Sequence, residues 1–235
     1  MATCGVCTIC GGTARNTCTD FPKHGHKWCD CGPRAELPIS VIIPHLSTRE
    51  EFFQAYCRPS VNVNNPKEVV IVQGDVGGAQ RARNQGFEQS TQPYLFHCDD
   101  DVRLADNCFI TLYAALQRSG ADFAYCDHDI FDHKITSRTP FKAGPFDPER
   151  LRRTSYVSTM SLMRREIWKP WDLNIRRMQD WDYWLTIVKS GARGVYVPES
   201  LFTMHVIDKN ISATWTAADW LRVVREKHGL PEPKS

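Results

Sequence analysis

Apolar positions are unevenly spread along this chain. Residues 1–34 show almost no periodic apolar pattern, whereas from Leu37 onward short β-branched runs alternate with stretches of helical length. Ile39-Ser40-Val41-Ile42-Ile43, closed by Pro44, has the composition of a buried strand. Glu68-Val69-Val70-Ile71-Val72 reads as a second strand, Tyr94-Leu95-Phe96-His97-Cys98 as a third and residues 122–126 as a fourth. Residues 48–58, 78–89 and 106–118 are predicted helices between them. The second half is less regular. Residues 157–163 read as a strand, 179–190 as a helix ending at Gly191, 195–197 and 201–206 as strands, and 217–228 as a closing helix capped by Gly229. Strands alternating with helices predict βαβ units in a mixed, mostly parallel sheet flanked by helices: an α/β, Rossmann-like class. Ligands of such sheets collect at the carboxyl ends of the strands. That rule points to Pro44-His45, Gln73-Gly74-Asp75 and Asp99-Asp100-Asp101.

Composition changes this picture only modestly. With 235 residues and 42% hydrophobic side chains, the chain can build one sizeable core and a small appendage. The expected division is residues 1–34 and residues 35–235, with Gly32-Pro33-Arg34 between them. A net charge of +2 with acids and bases intermixed argues against a dedicated nucleic-acid-binding face, though not against a polyanionic acceptor. The chain has no apolar run long enough for a membrane span and no basic stretch followed by an apolar one at its start. The expectation is a cytosolic protein with reduced thiols.

Cysteine usage is the first anomaly. Of 10 cysteines, six fall within the first 31 residues: Cys4, Cys7, Cys10, Cys18, Cys29 and Cys31, with His24 and His26 among them. A segment too poor in apolar residues for a core can be ordered by tetrahedral zinc, which takes four such ligands. One economical site pairs two of Cys4, Cys7 and Cys10 with Cys29 and Cys31; Cys18, His24 and His26 could serve a second ion. A reduced, unstructured tail is the plain alternative. Cys57, Cys98, Cys108 and Cys126 sit among apolar neighbours and are expected to be buried small hydrophobes.

Three consecutive aspartates directly after an apolar strand are costly to bury without a counter-charge. Their natural partner is a divalent cation with oxygen ligands, Mg²⁺ or Mn²⁺. Asp99 and Asp101 can converge on one ligand while Asp100 points elsewhere. A solvated turn followed by a helix cap is the competing account.

These residues also carry a resemblance. Gly78-Ala79-Gln80-Arg81-Ala82-Arg83-Asn84-Gln85-Gly86-Phe87, followed by Tyr94-Leu95-Phe96-His97-Cys98-Asp99-Asp100-Asp101, resembles the family 2 glycosyltransferases of GT-A fold. That family commonly reads AARNxG before an apolar strand ending in Asp-x-Asp. The run Ile39 to Pro44 is similar to its first strand, Ser161-Leu162-Met163-Arg164-Arg165-Glu166 to its LMRRE segment, and Gln179-Asp180-Trp181-Asp182-Tyr183-Trp184-Leu185 to its EDWDLWLRL helix. The likeness covers roughly residues 38–213 and keeps the motifs in order.

The resemblance implies transfer of a sugar from a nucleotide-diphosphate sugar, UDP being the family's commonest nucleotide, to an acceptor hydroxyl. It implies an Mn²⁺ or Mg²⁺ ion on Asp101 and Asp99, with Asp99 otherwise meeting the ribose. Asp100 is counted with the donor-binding loop, Arg83 with the nucleotide, and Pro44, His45 and Asp75 with the base. Asp180 occupies the position of the general base of an inverting reaction, with Asp182 a weaker candidate; a helix-start carboxylate complementing the dipole is the alternative for Asp180. The spacing of Trp181, Trp184, Leu185 and Val188 predicts one buried helix stripe with Asp180 at its exposed start. His205, followed by Asn210-Ile211-Ser212, resembles a histidine that completes the metal site in some relatives. Two departures fall at the donor end: Val72-Gln73-Gly74-Asp75 stands where relatives often read VDDGS, and His45-Leu46-Ser47 where many read Thr-Tyr-Asn. One hypothesis gives the cysteine-rich segment the task of presenting a macromolecular acceptor, modified DNA or a protein. A GT-A domain that has lost catalysis and acts as an adaptor is the rival from another class. A nucleotidyltransferase would want a Gly-rich basic loop after the first strand, and Pro44-His45-Leu46-Ser47 offers none.

Overall fold

The computed structural model describes residues 36–74, 78–207 and 217–231. The zinc expectation for Cys4, Cys7, Cys10, Cys18, His24, His26, Cys29 and Cys31, the base-flanking Asp75 and the Asn210-Ile211-Ser212 stretch lie outside the described residues.

Strand β1 (Leu37–His45) runs parallel to both β2 (Pro66–Gln73) and β3 (Tyr94–His97). It alternates between the faces of the sheet, as the two-residue period of a strand requires. Ile39, Val41 and Ile43 join one core cluster, and Ile42 joins the other. The first cluster is closed by helix α1 (residues 47–63) through Phe53, Cys57 and Val61. Helix α3 (Cys108–Ser119) adds Phe109 and Leu112. On the opposite face lies α2 (Gly78–Gln89), which approaches so closely that a Cβ on Gly86 would fall inside the Ile42 side chain. Glycine is needed there for proximity, not for its backbone freedom.

The remaining strands are β4 (Val102–Leu104), β5 (Phe123–Asp132), β6 (Ser137–Phe141), β7 (Leu162–Arg164) and β8 (Gly194–Val206). They complete an 8-stranded sheet of order β2-β1-β3-β7-β5-β8-β4, with β6 paired to β5. The sheet is mixed. Parallel pairing is confined to β2-β1-β3 and β5-β8, and β7 enters antiparallel to both β3 and β5. The helices are completed by α4 (Pro148–Leu151), α5 (Gln179–Lys189) and α6 (Ala217–His228).

Several elements differ from the sequence expectation for local reasons. Helix α1 is longer than 48–58 and contains a π turn over Phe53–Cys57, which keeps Phe53 and Cys57 both facing the core. Residues 157–161 form no strand although they are largely buried; Trp184 Nε1 donates to the Ser158 carbonyl at 3.1 Å, satisfying a group that a ladder would otherwise pair. The predicted strands 195–197 and 201–206 are one strand, β8, whose register against β5 slips between Val197 and Ser200. Pro198 lies in that slip, where a residue without an N–H breaks no ladder bond. Strands β4 and β6 were not expected: β4 is only three residues long, and β6, Ser-Arg-Thr-Pro-Phe, shows no apolar alternation. Cys57, Cys98, Cys108 and Cys126 are all buried, and burial pushes the Cys126 thiol up to about 12. Among the described residues no helix is long and apolar enough to cross a membrane.

Candidate active site

Two loops and one helix start build the site. The first loop follows β3 and carries the three aspartates. Asp100 turns inward and is 2% exposed, and its carboxylate is consumed by protein donors. It accepts from the Leu46 N–H at 2.8 Å and from Arg49 Nη1 at 2.9 Å, and lies 3.1 Å from His45 Nδ1. His45 is held from the other side by Glu50 at 2.6 Å and rests against the Phe53 ring. Pro44 is buried in β1 opposite Val72 of β2. So Asp100 and His45 tie the end of β1, the start of α1 and the acidic loop into one unit.

Asp99 and Asp101 point away from that strut and keep partial exposure, 28% and 17% at the side chain. Each meets an arginine: Asp101 accepts from Arg49 Nη1 at 2.8 Å, and Asp99 from Arg83 Nη2 at 2.6 Å. Even so, burial and then the neighbouring Asp99 charge push the Asp101 carboxyl up to about 7. The loop therefore carries more negative charge than its arginines offset. That imbalance, on a set of hard oxygen donors, fits a divalent cation. Among the described residues no three or more His, Cys, Asp and Glu side chains converge on one point, so such an ion would draw its remaining ligands from phosphate oxygens and water.

Arg83 is the hub. It lies on α2, is 3% exposed, and binds Asp99 through Nη2; its Nε and Nη1 are buried without a hydrogen-bond partner among the described residues. Its charge also acts on Asp180 at the first turn of α5. Burial raises the Asp180 carboxyl to about 6, Asp99 adds to the rise, and Arg83 opposes it. Asp180 and Asp99 thus both lie within reach of the Arg83 charge. His97 is enclosed with neither ring nitrogen partnered among the described residues, and burial, followed by the Arg83 charge, pushes it down to about 3, so it is neutral. Met178, just before α5, takes a left-handed backbone (φ 59°) that costs roughly 1–2 kcal/mol in a non-glycine residue. Strain of this kind at a helix start beside charged groups is common at functional sites.

Helix α5 is buried beyond a single stripe: Trp181, Tyr183, Trp184, Leu185 and Ile187 are all enclosed, with Val188 packed against them. Asp182 is enclosed on the far side of the helix. It binds Lys227 at 2.9 Å and His228 at 2.7 Å and so anchors α6. The structure does not bring it to the site.

His205 sits on β8 directly beside the acidic loop, its N–H donating to the Asp101 carbonyl at 2.9 Å. Its ring, however, turns into a cluster with His133, whose Nε2 is 2.8 Å from His205 Nδ1, and with Phe52 and Tyr56. Its Nε2 is buried and has no partner among the described residues, and burial pushes the imidazole down to about 4, leaving it neutral. Arg49, which binds Asp100 and Asp101, and Trp171, which lies under Arg83, are neighbours of the acidic loop that the sequence did not single out. Arg49 lies four positions past His45 in an otherwise unremarkable helix start, and Trp171 lies in a segment without periodicity.

A curled mixed sheet with acidic residues at the end of a central strand and a carboxylate at the start of the helix after β7 defines the GT-A class of nucleotide-diphospho-sugar transferase folds. Solved structures agree. S. aureus TarS 1-349 in complex with UDP-GlcNAc superposes with a TM-score of 0.60 at 12% identity, over 84% of this chain and 68% of that one. S. aureus TarS gives 0.60 at 11%, over 84% and 41% of the two chains. S. aureus TarS 1-349 gives 0.57 at 12%, over 72% and 60%. This chain therefore spans less than two thirds of TarS, and at such identity the likeness speaks for the fold. No curated protein sequence matches the chain. The model of glycosyl transferase family 2 matches residues 50–186, more than half of the chain, and the protein belongs to that family.

Proposed function

We propose that this protein transfers a sugar from a UDP-sugar to an acceptor hydroxyl with inversion, in a reaction that requires Mn²⁺ or Mg²⁺. The observation that carries this reading is the buried Arg83–Asp99 ion pair at the carboxyl end of β3, whose two charges both act on the Asp180 carboxyl, in a family 2 chain. The TarS structures solved with UDP-GlcNAc and with UDP support the donor class.

In this reading Asp101 and Asp99 hold the cation, which when bound would offset the charge gathering on the departing diphosphate. The Arg83 N–H groups that Asp99 leaves unused would donate to the same anion. Asp180 takes the proton from the acceptor hydroxyl; a carboxyl raised to about 6 is still ionised at neutral pH and is a stronger base than an ordinary aspartate. His45 and Asp100 act indirectly, by fixing the loop on which Asp99 and Asp101 stand. His205, neutral and with one free ring nitrogen, retains the chemistry of a metal ligand. Residues 1–34 would fold as a separate zinc-binding unit from residues 35–235, and would present a macromolecular acceptor, modified DNA or a protein, to the transferase. The site of action would be the cytosol.

The test is release of UDP from UDP-sugars with Mn²⁺. Slow hydrolysis that falls at least about 100-fold in both Asp101→Ala and Asp180→Asn is the expected outcome. UDP-sugar binding with no release by the wild-type protein on any acceptor would replace transfer with the adaptor reading. Removing residues 1–34 should lower turnover on the true acceptor while leaving hydrolysis unchanged.

A further inference from the structure

The Arg83 guanidinium is held by more than its ion pair with Asp99. Its Cζ lies 4.4 Å from the centre of the Trp171 ring. Trp171 is 3% exposed and stacks on Tyr183 of α5, ring centres 4.0 Å apart and planes 4° from parallel. His97 meets the indole edge-on at 5.5 Å. The backbone of residue 171 is fixed as well: Asn84 Nδ2 donates to the Trp171 carbonyl at 3.0 Å, and the Trp171 N–H donates to Asn84 Oδ1 at 2.8 Å. Arg83 and Asn84 are adjacent on α2, so one residue clamps the tryptophan and its neighbour rests on it.

We propose that Trp171 is a positioning residue, a fixed aromatic shelf that holds the Arg83 guanidinium on Asp99 and within reach of Asp180. A long, flexible arginine in a cleft has many rotamers and strong carboxylate competitors on two sides. With only Nη2 spent on Asp99, nothing in the ion pair itself fixes the direction of Nε and Nη1. The indole supplies a second constraint: with its Cζ 4.4 Å from the ring centre, the cation is held over the Trp171 ring as well as on Asp99. The same stack continues into Tyr183, three residues past Asp180, so the shelf and the proposed base ride on one packed column.

This inference rests on the transferase reading for its consequence but not for its geometry, and the two can be tested apart. The first measurement is the Arg83 Nε–H resonance in the ¹H–¹⁵N spectrum, assigned by its loss in Arg83→Lys. Lying over an indole, it should be shifted upfield and exchange slowly with water. Trp171→Leu should return it to an ordinary position and speed its exchange by about tenfold, the scale of a partly desolvated cation–π contact, while Trp171→Phe should keep most of both properties. An unmoved resonance in a folded Trp171→Leu protein overturns the proposal, and Trp171→Phe decides the matter if Trp171→Leu does not fold. The second measurement is a double-mutant cycle on UDP-GlcNAc hydrolysis with Mn²⁺. Trp171→Leu should lower kcat by about tenfold with little change in KM in the wild-type background, and by almost nothing in Arg83→Gln. Equal losses in both backgrounds mean that Trp171 acts by some route other than Arg83 and sink the idea. If instead Asp180→Asn hydrolyses UDP-GlcNAc as well as the wild type does, the base assignment fails, and the Arg83 resonance still judges the shelf.

Discussion

Asp180 and Asp182 stand two residues apart at the start of α5, which places their side chains about 200° apart around the helix. Burial raises the Asp180 carboxyl to about 6, with the Arg83 and Asp99 charges acting on it in opposite directions. Asp182 is spent on Lys227 and His228 of α6. The acidic triplet repeats the contrast over a shorter distance: Asp100 is closed off by His45, Leu46 and Arg49, whereas Asp99 and Asp101 keep exposed oxygen. In each case the carboxylate with a full set of donors holds the fold together. The one left short of positive charge faces the cleft. Incomplete compensation, rather than the presence of an aspartate, marks the positions that the proposed reaction uses.

The contrast can be broken from either side. The largest effect expected is on Asp180: replacement by Asn should reduce turnover at least about 100-fold, with thermal stability at pH 7.5 unchanged or higher. Stability moves that way because a carboxyl raised in the folded state contributes stability that is present at low pH and lost as pH rises through about 6. The charge at neutral pH is therefore a cost that Asn removes. Asp182→Ala should do the reverse, lowering unfolding free energy in urea by about 3 kcal/mol, since it leaves the buried His228 without its carboxylate and Lys227 with Asp172 alone, while the folded fraction keeps its activity. If both variants lose activity and stability alike, the division between them is wrong. Next in size is the acid limb of the turnover profile. Asp180 must be ionised to accept a proton, so activity should fall as pH drops through about 6, by about tenfold one unit below it. A limb near pH 4 would mean that Asp180 is not the titrating base. The smallest change sharpens the geometry of the hub: Gly86→Ala should push α2 off Ile42 and cost about 1–3 kcal/mol, with a shift of the Arg83 side chain visible as weaker UDP binding.

Much of the frame was legible in advance. The β-branched run Ile39 to Ile43, the helix at 78–89 and the closing helix at 217–228 were readable because local propensity and tertiary role agree there. Strand β6 and the irregular stretch 157–161 were not, since β6 has no alternating pattern and 157–161 buries apolar residues without a ladder. The position of the acidic loop followed from the strand before it. The split of duties within the loop did not, because it depends on Arg49 and His45, which reach Asp100 from more than 50 residues away.

The order of strands, the acidic run behind β3 and the carboxylate that opens α5 are written in the local pattern of the chain, where a few neighbouring residues suffice to set backbone and exposure. Which of those carboxylates is left short of positive charge was decided only when α1, α2 and α6 packed against the sheet. Arg49, Arg83, Lys227 and His228 arrive from distant parts of the chain, and only folding determines which carboxylate each one meets.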